Sequence, residues 1–169
     1  MTQWDYQAST EGCERILAVP YARLEDTTPA VGEPAAVISL LLGTQVCGVV
    51  LSLDAINSWA IIDFTPGKLY WFQVRNVLTY SSGAESTFGA INIGDPIYYD
   101  GGAVMVALGL KLSTAPTDSG AVGTGAGAAA NPIFGFVVGA DAIDTPLYPK
   151  GGATASTQWV GVMVRGAGA

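Results

Sequence analysis

Three pairs of aspartates are the first residues in this sequence that could do chemistry: Asp54 with Asp63, Asp95 with Asp100, and Asp141 with Asp144. Two carboxylates held close together can divide general-acid and general-base duties between them. Each pair, however, sits among turn residues, where Asp accepts hydrogen bonds from nearby backbone N–H groups and starts a chain reversal. Turn formation accounts for all three, and no catalytic residue is assigned. Asp141 and Asp144 could also offer oxygen atoms to calcium, but the regularly spaced further ligands and closing Glu of a dedicated loop do not follow. The sequence has no histidine, which removes the commonest neutral-pH base and nitrogen ligand. Cys13 and Cys47 belong to no CxxC pair, so buried reduced thiols are expected and no metal site is assigned. Glycine-rich residues 120–127 look superficially like a phosphate cradle, yet no Lys follows and no strand-then-helix pattern frames them. Tyr70-Trp71-Phe72 could stack nucleobases, but Lys68 and Arg75 are the only nearby cations. The chain is therefore read as a protein with neither enzymatic activity nor a cofactor.

The elements that would carry these residues have to be built from an unusual composition. Half of the 169 residues are hydrophobic, against 7 Lys or Arg and 14 Asp or Glu, for a formal net charge of -7. That much apolar material folds rather than staying disordered. Acidity disfavours nucleic acid and anionic membranes as partners, because both call for clustered cations. So few charges beside so many apolar groups fit a molecule that covers part of its exterior with other proteins. No apolar run approaches the roughly 20 residues of a membrane-spanning helix, and no secretory signal is read at the N-terminus.

Residues 1–34 read as an N-terminal arm with at most one short strand, residues 35–165 as a single β domain, and residues 166–169 as a frayed C-terminus. Within the domain, β-branched and aromatic runs alternate with Gly and Pro turns. Runs 37–42 and 46–53 are expected to form a hairpin about Gly43-Thr44. Runs 59–64 and 69–74 are expected to form a second about Pro66-Gly67. A polar loop follows over 76–90, with room for a helical turn. Residues 91–99 read as a strand broken at Gly94-Asp95-Pro96, and Val104, Val106 and Leu108 as a half-buried strand after Asp100-Gly101-Gly102. Residues 133–138 and 158–164 are strands, the latter with Val160, Val162 and Val164 on one face and Trp159, Gly161 and Met163 on the other. Long loops rich in Gly, Ala, Ser and Thr cover 113–131 and, with Pro, 141–156. No 3.6-residue period is sustained, so the fold class is all-β: a compact barrel or sandwich of short, mostly antiparallel strands.

Four segments in order, Gly48-Val49-Val50-Leu51, Gly94-Asp95-Pro96-Ile97-Tyr98-Tyr99-Asp100, Asn131-Pro132-Ile133-Phe134-Gly135-Phe136-Val137-Val138 and Val160-Gly161-Val162-Met163-Val164, give the chain a likeness to a known family. It resembles the small capsid cement, or decoration, proteins of tailed bacteriophages, some of which have been described as recombinases. The resemblance covers residues 32–165. It departs in a longer lead, an insertion-like stretch over 76–87 and a long loop over 113–131. No Walker motif supports a recombinase. The likeness implies a small β-barrel protein, made in the host cytoplasm, that attaches to the outer surface of an icosahedral shell and reinforces it. Its implied partners are the major capsid protein and further copies of itself, as a homotrimer. A tail or other surface β-barrel binding module is the second reading, and a small carboxylate-dependent enzyme the third. Candidate contact residues are Trp4, Tyr6, Ile16 and Leu17 in the arm, which could anchor in grooves on a partner, and Tyr70, Trp71 and Phe72 in the domain.

Overall fold

Short runs of Val, Ile and aromatic residues, each stopped by Gly, Pro or Asp, leave the backbone little choice but strands, and strands dominate the structure. The computed structural model describes residues 5–9, 12–38, 46–76, 80, 81, 84, 85, 91–116, 130–140 and 157–166. The fold is almost all-β, as expected, with a five-stranded sheet, a small closed five-stranded barrel and a two-stranded hairpin. These strands fall into two compact units. One comprises residues 1–68 and 164–169, the other residues 69–163.

The first unit is built from β1 (Asp5–Ser9), β2 (Gly12–Pro20), β3 (Pro34–Val37), β4 (Val46–Asp54) and β5 (Trp59–Asp63), in the order β1-β2-β5-β4-β3. All neighbours are antiparallel. The lead segment, expected to hold at most one short strand, thus supplies two. Alternation explains why: Leu17 and Val19 are buried while Ala18 between them is exposed, so β2 has an apolar face to lay against β5. That face joins Leu24, Ala35, Val50, Ala60, Ile62 and Phe64 in one core. The hairpin expected between the 37–42 and 46–53 runs is not what β4 forms: its partner is Pro34–Val37, and of the first run only Val37 is paired, opposite Val46, a register four residues away from a tight turn at Gly43-Thr44. Gly43 and Thr44 themselves lie outside the described residues. In β4 a bulge between Val50 and Ser52 leaves Leu51 as an extra, exposed residue, although the sequence reads as one continuous apolar run. Gly48 is required at its place, since a Cβ there would sit 2.5 Å from the Asp63 carbonyl oxygen.

The second unit contains β6 (Leu69–Arg75), β7 (Tyr80–Ser81), β8 (Ala84–Glu85), β9 (Pro96–Tyr99), a short helix α1 (Ala103–Leu108), β10 (Leu112–Ser113), β11 (Ile133–Ala140) and nearly all of β12 (Thr157–Val164). Its barrel closes in the order β10-β6-β12-β11-β9. One contact, β10 with β6, is parallel, while β10 with β9, β11 with β9 and β12 with β6 are antiparallel. Phe72, Val74, Ile97, Tyr99, Leu112, Phe134, Val137, Val160 and Val162 are buried. Phe72 and Phe134 meet edge to face, with centroids 5.5 Å apart.

Two further expectations are corrected here. The runs flanking Pro66-Gly67 do not form a hairpin: β5 pairs within the first sheet and β6 within the barrel. The turn itself is present, with Gly67 at φ +82°, but Gly67 N–H donates to Val164 O and Val164 N–H to Lys68 O. The turn therefore meets the end of β12 instead of folding β6 back on β5. Likewise Val104, Val106 and Leu108 lie on α1, not on a strand. Every residue from 103 to 108 is apolar, so alternation could not distinguish the two states. Gly109 adopts the left-handed conformation that ends a helix, its N–H reaching the Met105 and Val106 carbonyls, while Met105 is wholly buried. Residues 117–129 and 141–156, expected as loops, and 167–169, expected to fray, lie outside the described residues.

Candidate interaction surface

The strand alternation that fills the barrel also dictates what its outer face presents. On β6, Phe72 and Val74 point inward, which turns Leu69 and Trp71 outward; on β12, Val160 and Val162 point inward, which turns Trp159, Gly161 and Met163 outward. The register confirms a shared face, with Leu69 opposite Met163 and Trp71 opposite Gly161. Gly161 leaves room for the indole: a Cβ there would meet Trp71 Cζ2 at 3.1 Å, and one at Gly139 on β11 would meet Trp71 Cη2 at 3.2 Å. Trp71 thus lies across Gly161 of the neighbouring strand β12.

Strand β11 adds two more apolar groups through an irregularity. Phe134 and Val137 are both buried although they are three positions apart, an odd step, because a bulge between Ile133 and Gly135 inserts one residue and reverses the parity beyond it. Phe136 and Val138 are therefore the residues turned outward. Exposures of 54% for Leu69, 40% for Met163, 36% for Phe136 and 40% for Val138 mark an apolar surface over three adjacent strands. Gly135 makes the bulge possible, since a Cβ there would collide with the Met163 carbonyl oxygen and press on Val162 Cγ1.

The candidate contact residues are divided by the structure. Trp4 lies outside the described residues. Tyr6 is on β1, opposite Arg15. Ile16 is half-buried and Leu17 buried within the first sheet, and Phe72 is buried in the barrel against Phe134. Tyr70 is half-buried and stacks with Phe72 at 6.0 Å. Of the Tyr70-Trp71-Phe72 run, Trp71 alone faces outward, because a strand sends successive side chains to opposite sides. Sequence reasoning missed Leu69, Phe136, Val138 and Met163 as contact candidates. The 158–164 alternation did place Met163 opposite the valine face, whereas no sequence signal marked the bulge that exposes Phe136.

The acidic pairs are kept apart by the strands they end. Asp54 and Asp63 stand at opposite ends of the β4–β5 hairpin, and Asp95 and Asp100 at opposite ends of β9. Asp54 accepts from Asn57 Nδ2 at 2.7 Å and from the N–H groups of Asn57 and Ile56, which hold its carboxyl below the ordinary value. Asp95 accepts from Asn92 N–H at 2.8 Å. Asp100 is fully buried and accepts from Gly102 N–H at 3.0 Å and Ser113 Oγ at 3.2 Å. Ser113 Oγ in turn accepts from Ala115 N–H, so this group fastens β9, α1 and β10 together. Asp63 is buried and receives Lys68 Nζ at 2.5 Å and Thr65 N–H at 2.8 Å. Burial alone would raise its carboxyl; the hydrogen bonds from Lys68 and Thr65 outweigh that and hold it below the ordinary value. Cys47 is a free, buried thiol pushed up to about 12 by desolvation, which the Arg165 charge offsets in part, so it is not a nucleophile at neutral pH. Among the described residues no group of three or more acidic, Cys or His side chains could hold a metal. Asp141 and Asp144 lie outside the described residues. Comparison of the chain with protein-family models, with curated proteins and with solved structures found no match in any of the three.

Proposed function

We propose that this protein is a structural decoration protein that binds the outer surface of an icosahedral bacteriophage shell, together with further copies of itself as a trimer, and stabilises it. The apolar outer face of the barrel carries this reading: Leu69, Trp71, Met163, Phe136 and Val138 lie on three neighbouring strands. Single exposed apolar residues are ordinary, but a group held on a rigid sheet suits lasting contact with another protein. The acidic charge of -7 fits a protein partner better than nucleic acid or anionic lipid. The order of the four sequence segments supplies the particular assignment to a phage shell.

Met163→Lys places a charge on that face, on a residue already 40% exposed, without touching the buried valines. Burial of such a side chain in an interface is worth about 1–2 kcal/mol, and an unpaired lysine there costs more. Shell affinity, measured by co-sedimentation with purified expanded shells, should fall at least tenfold while the melting temperature of the free protein stays within about 2 °C. Undiminished retention of the variant, or virion density for this chain at the tail and not on the shell, would sink the assignment.

A further inference from the structure

β1 leaves one edge of the first sheet open among the described residues, since the strand order ends there. The phase of its hydrogen bonds can be read from its neighbour. Arg15 N–H donates to Thr65 Oγ1 at 2.9 Å and Arg15 O accepts from Phe64 N–H at 2.7 Å, so both backbone groups of Arg15 point away from β1. Tyr6, which faces Arg15, therefore belongs to a non-hydrogen-bonded pair, and its own N–H and C=O point to the open edge. Alternation gives Ala8 the same direction, and turns Asp5, Gln7 and Ser9 toward β2.

We infer that β1 pairs antiparallel with β1 of a second copy about a two-fold axis at Gln7. In that register Tyr6 faces Ala8 of the second copy and Ala8 faces its Tyr6, and all four open N–H and all four open C=O groups of the two strands are used. Asp5 faces Ser9 across the axis, so no like charges oppose each other. The two Asp5 residues lie at opposite ends of the pairing, about 14 Å apart at roughly 3.4 Å per residue, beyond the screening length of about 8 Å at physiological salt. The segment Asp5-Tyr6-Gln7-Ala8-Ser9 also has none of the Lys, Pro or bulge devices by which edge strands avoid such pairing. An isologous contact of this kind closes on itself, and joins two five-stranded sheets into one. It uses none of the residues of the barrel face and needs no shell.

The test uses the full chain in solution, without shells. Two-fold pairing at Gln7 brings the position-7 Cα atoms within about 4.5 Å, suited to a disulfide, and leaves the position-6 Cα atoms beyond the roughly 7 Å a disulfide spans. Gln7→Cys should give a dimer linked between the two introduced thiols, located by peptide mapping, at least tenfold more efficiently than Tyr6→Cys. In the unsubstituted protein, amide exchange at Tyr6 and Ala8 should slow at least tenfold from low to high concentration. Ala8→Pro, which removes an edge-side N–H but none that faces β2, should abolish the slowing at Tyr6. Equal linking at positions 6 and 7, or free exchange at Tyr6 and Ala8 at high concentration, overturns the inference. So does protection independent of concentration, which would mean that the chain covers its own edge. Failure of shell binding would leave each of these readouts unchanged.

Discussion

Asp63 is the residue on which local chemistry and folding meet most directly. Its carboxylate is 1% exposed, while its partner Lys68 is 37% exposed and also lies 3.8 Å from Glu14. Solvent around Lys68 weakens the ion pair, so the two hydrogen bonds at the buried end carry most of its worth, about 1–2 kcal/mol. Because the folded carboxyl titrates below the unfolded value of 3.8, its contribution is complete well above that pH. It is lost as pH falls through the interval down to the folded value, as the unfolded chain takes up the proton first. Asp63→Asn should lower the melting temperature at pH 7 by several degrees and flatten the acid side of the stability profile, as followed by circular dichroism. A variant with the same acid slope as the unsubstituted protein would show that other carboxylates set it. The role of Asp63 was legible only as a turn residue, since nothing in the spacing says that the turn sits against β2 and the end of β12.

At the scale of elements, the lead strands decide between two roles for residues 1–20. An arm that anchors in a partner would have left Ile16 and Leu17 available; the structure pairs residues 16–20 with β5 and puts Leu17 and Val19 into the core. Deletion of residues 1–15 removes β1 and the Arg15 hydrogen bonds to Thr65 and Phe64. A loss of about 1–2 kcal/mol is expected, a fall in melting temperature of roughly 2–8 °C. Unchanged melting together with shedding from shells would instead return these residues to an anchoring role. The helix α1 carries the opposite lesson: its six apolar residues satisfy either period, and the turn chemistry of Gly102 and Gly109 at its ends, not its hydrophobic pattern, makes it helical.

For the whole molecule, the distribution of charge and apolar surface predicts how attachment responds to conditions. The proposed contact lies on a face of Leu69, Trp71, Met163, Phe136 and Val138, none of them charged. Attachment through it depends on apolar burial, which salt does not screen. Raising sodium chloride from 0.05 to 0.5 M should change shell affinity by less than about threefold in co-sedimentation. A fall of a hundredfold or more would mean that charged groups dominate, and would move the contact away from this face.

Composition and strand alternation are enough to determine the fold class: β-branched runs between Gly and Pro turns admit little else, and Val160, Val162 and Val164 are buried as their period requires. The turn at Gly67 and the tight place for Gly135 were equally legible, because a positive φ and a close backbone approach each demand the residue without a Cβ. Which strand pairs with which was not, since the Pro66-Gly67 turn is chemically the same whether it folds a hairpin or carries the chain into a second sheet. Bulges after Val50 and Ile133 are likewise silent in sequence, because one inserted residue leaves composition unchanged while reversing which side chains face out. That reversal, a property of register between distant segments, is what turns Phe136 and Val138 outward on the barrel and so composes the candidate surface.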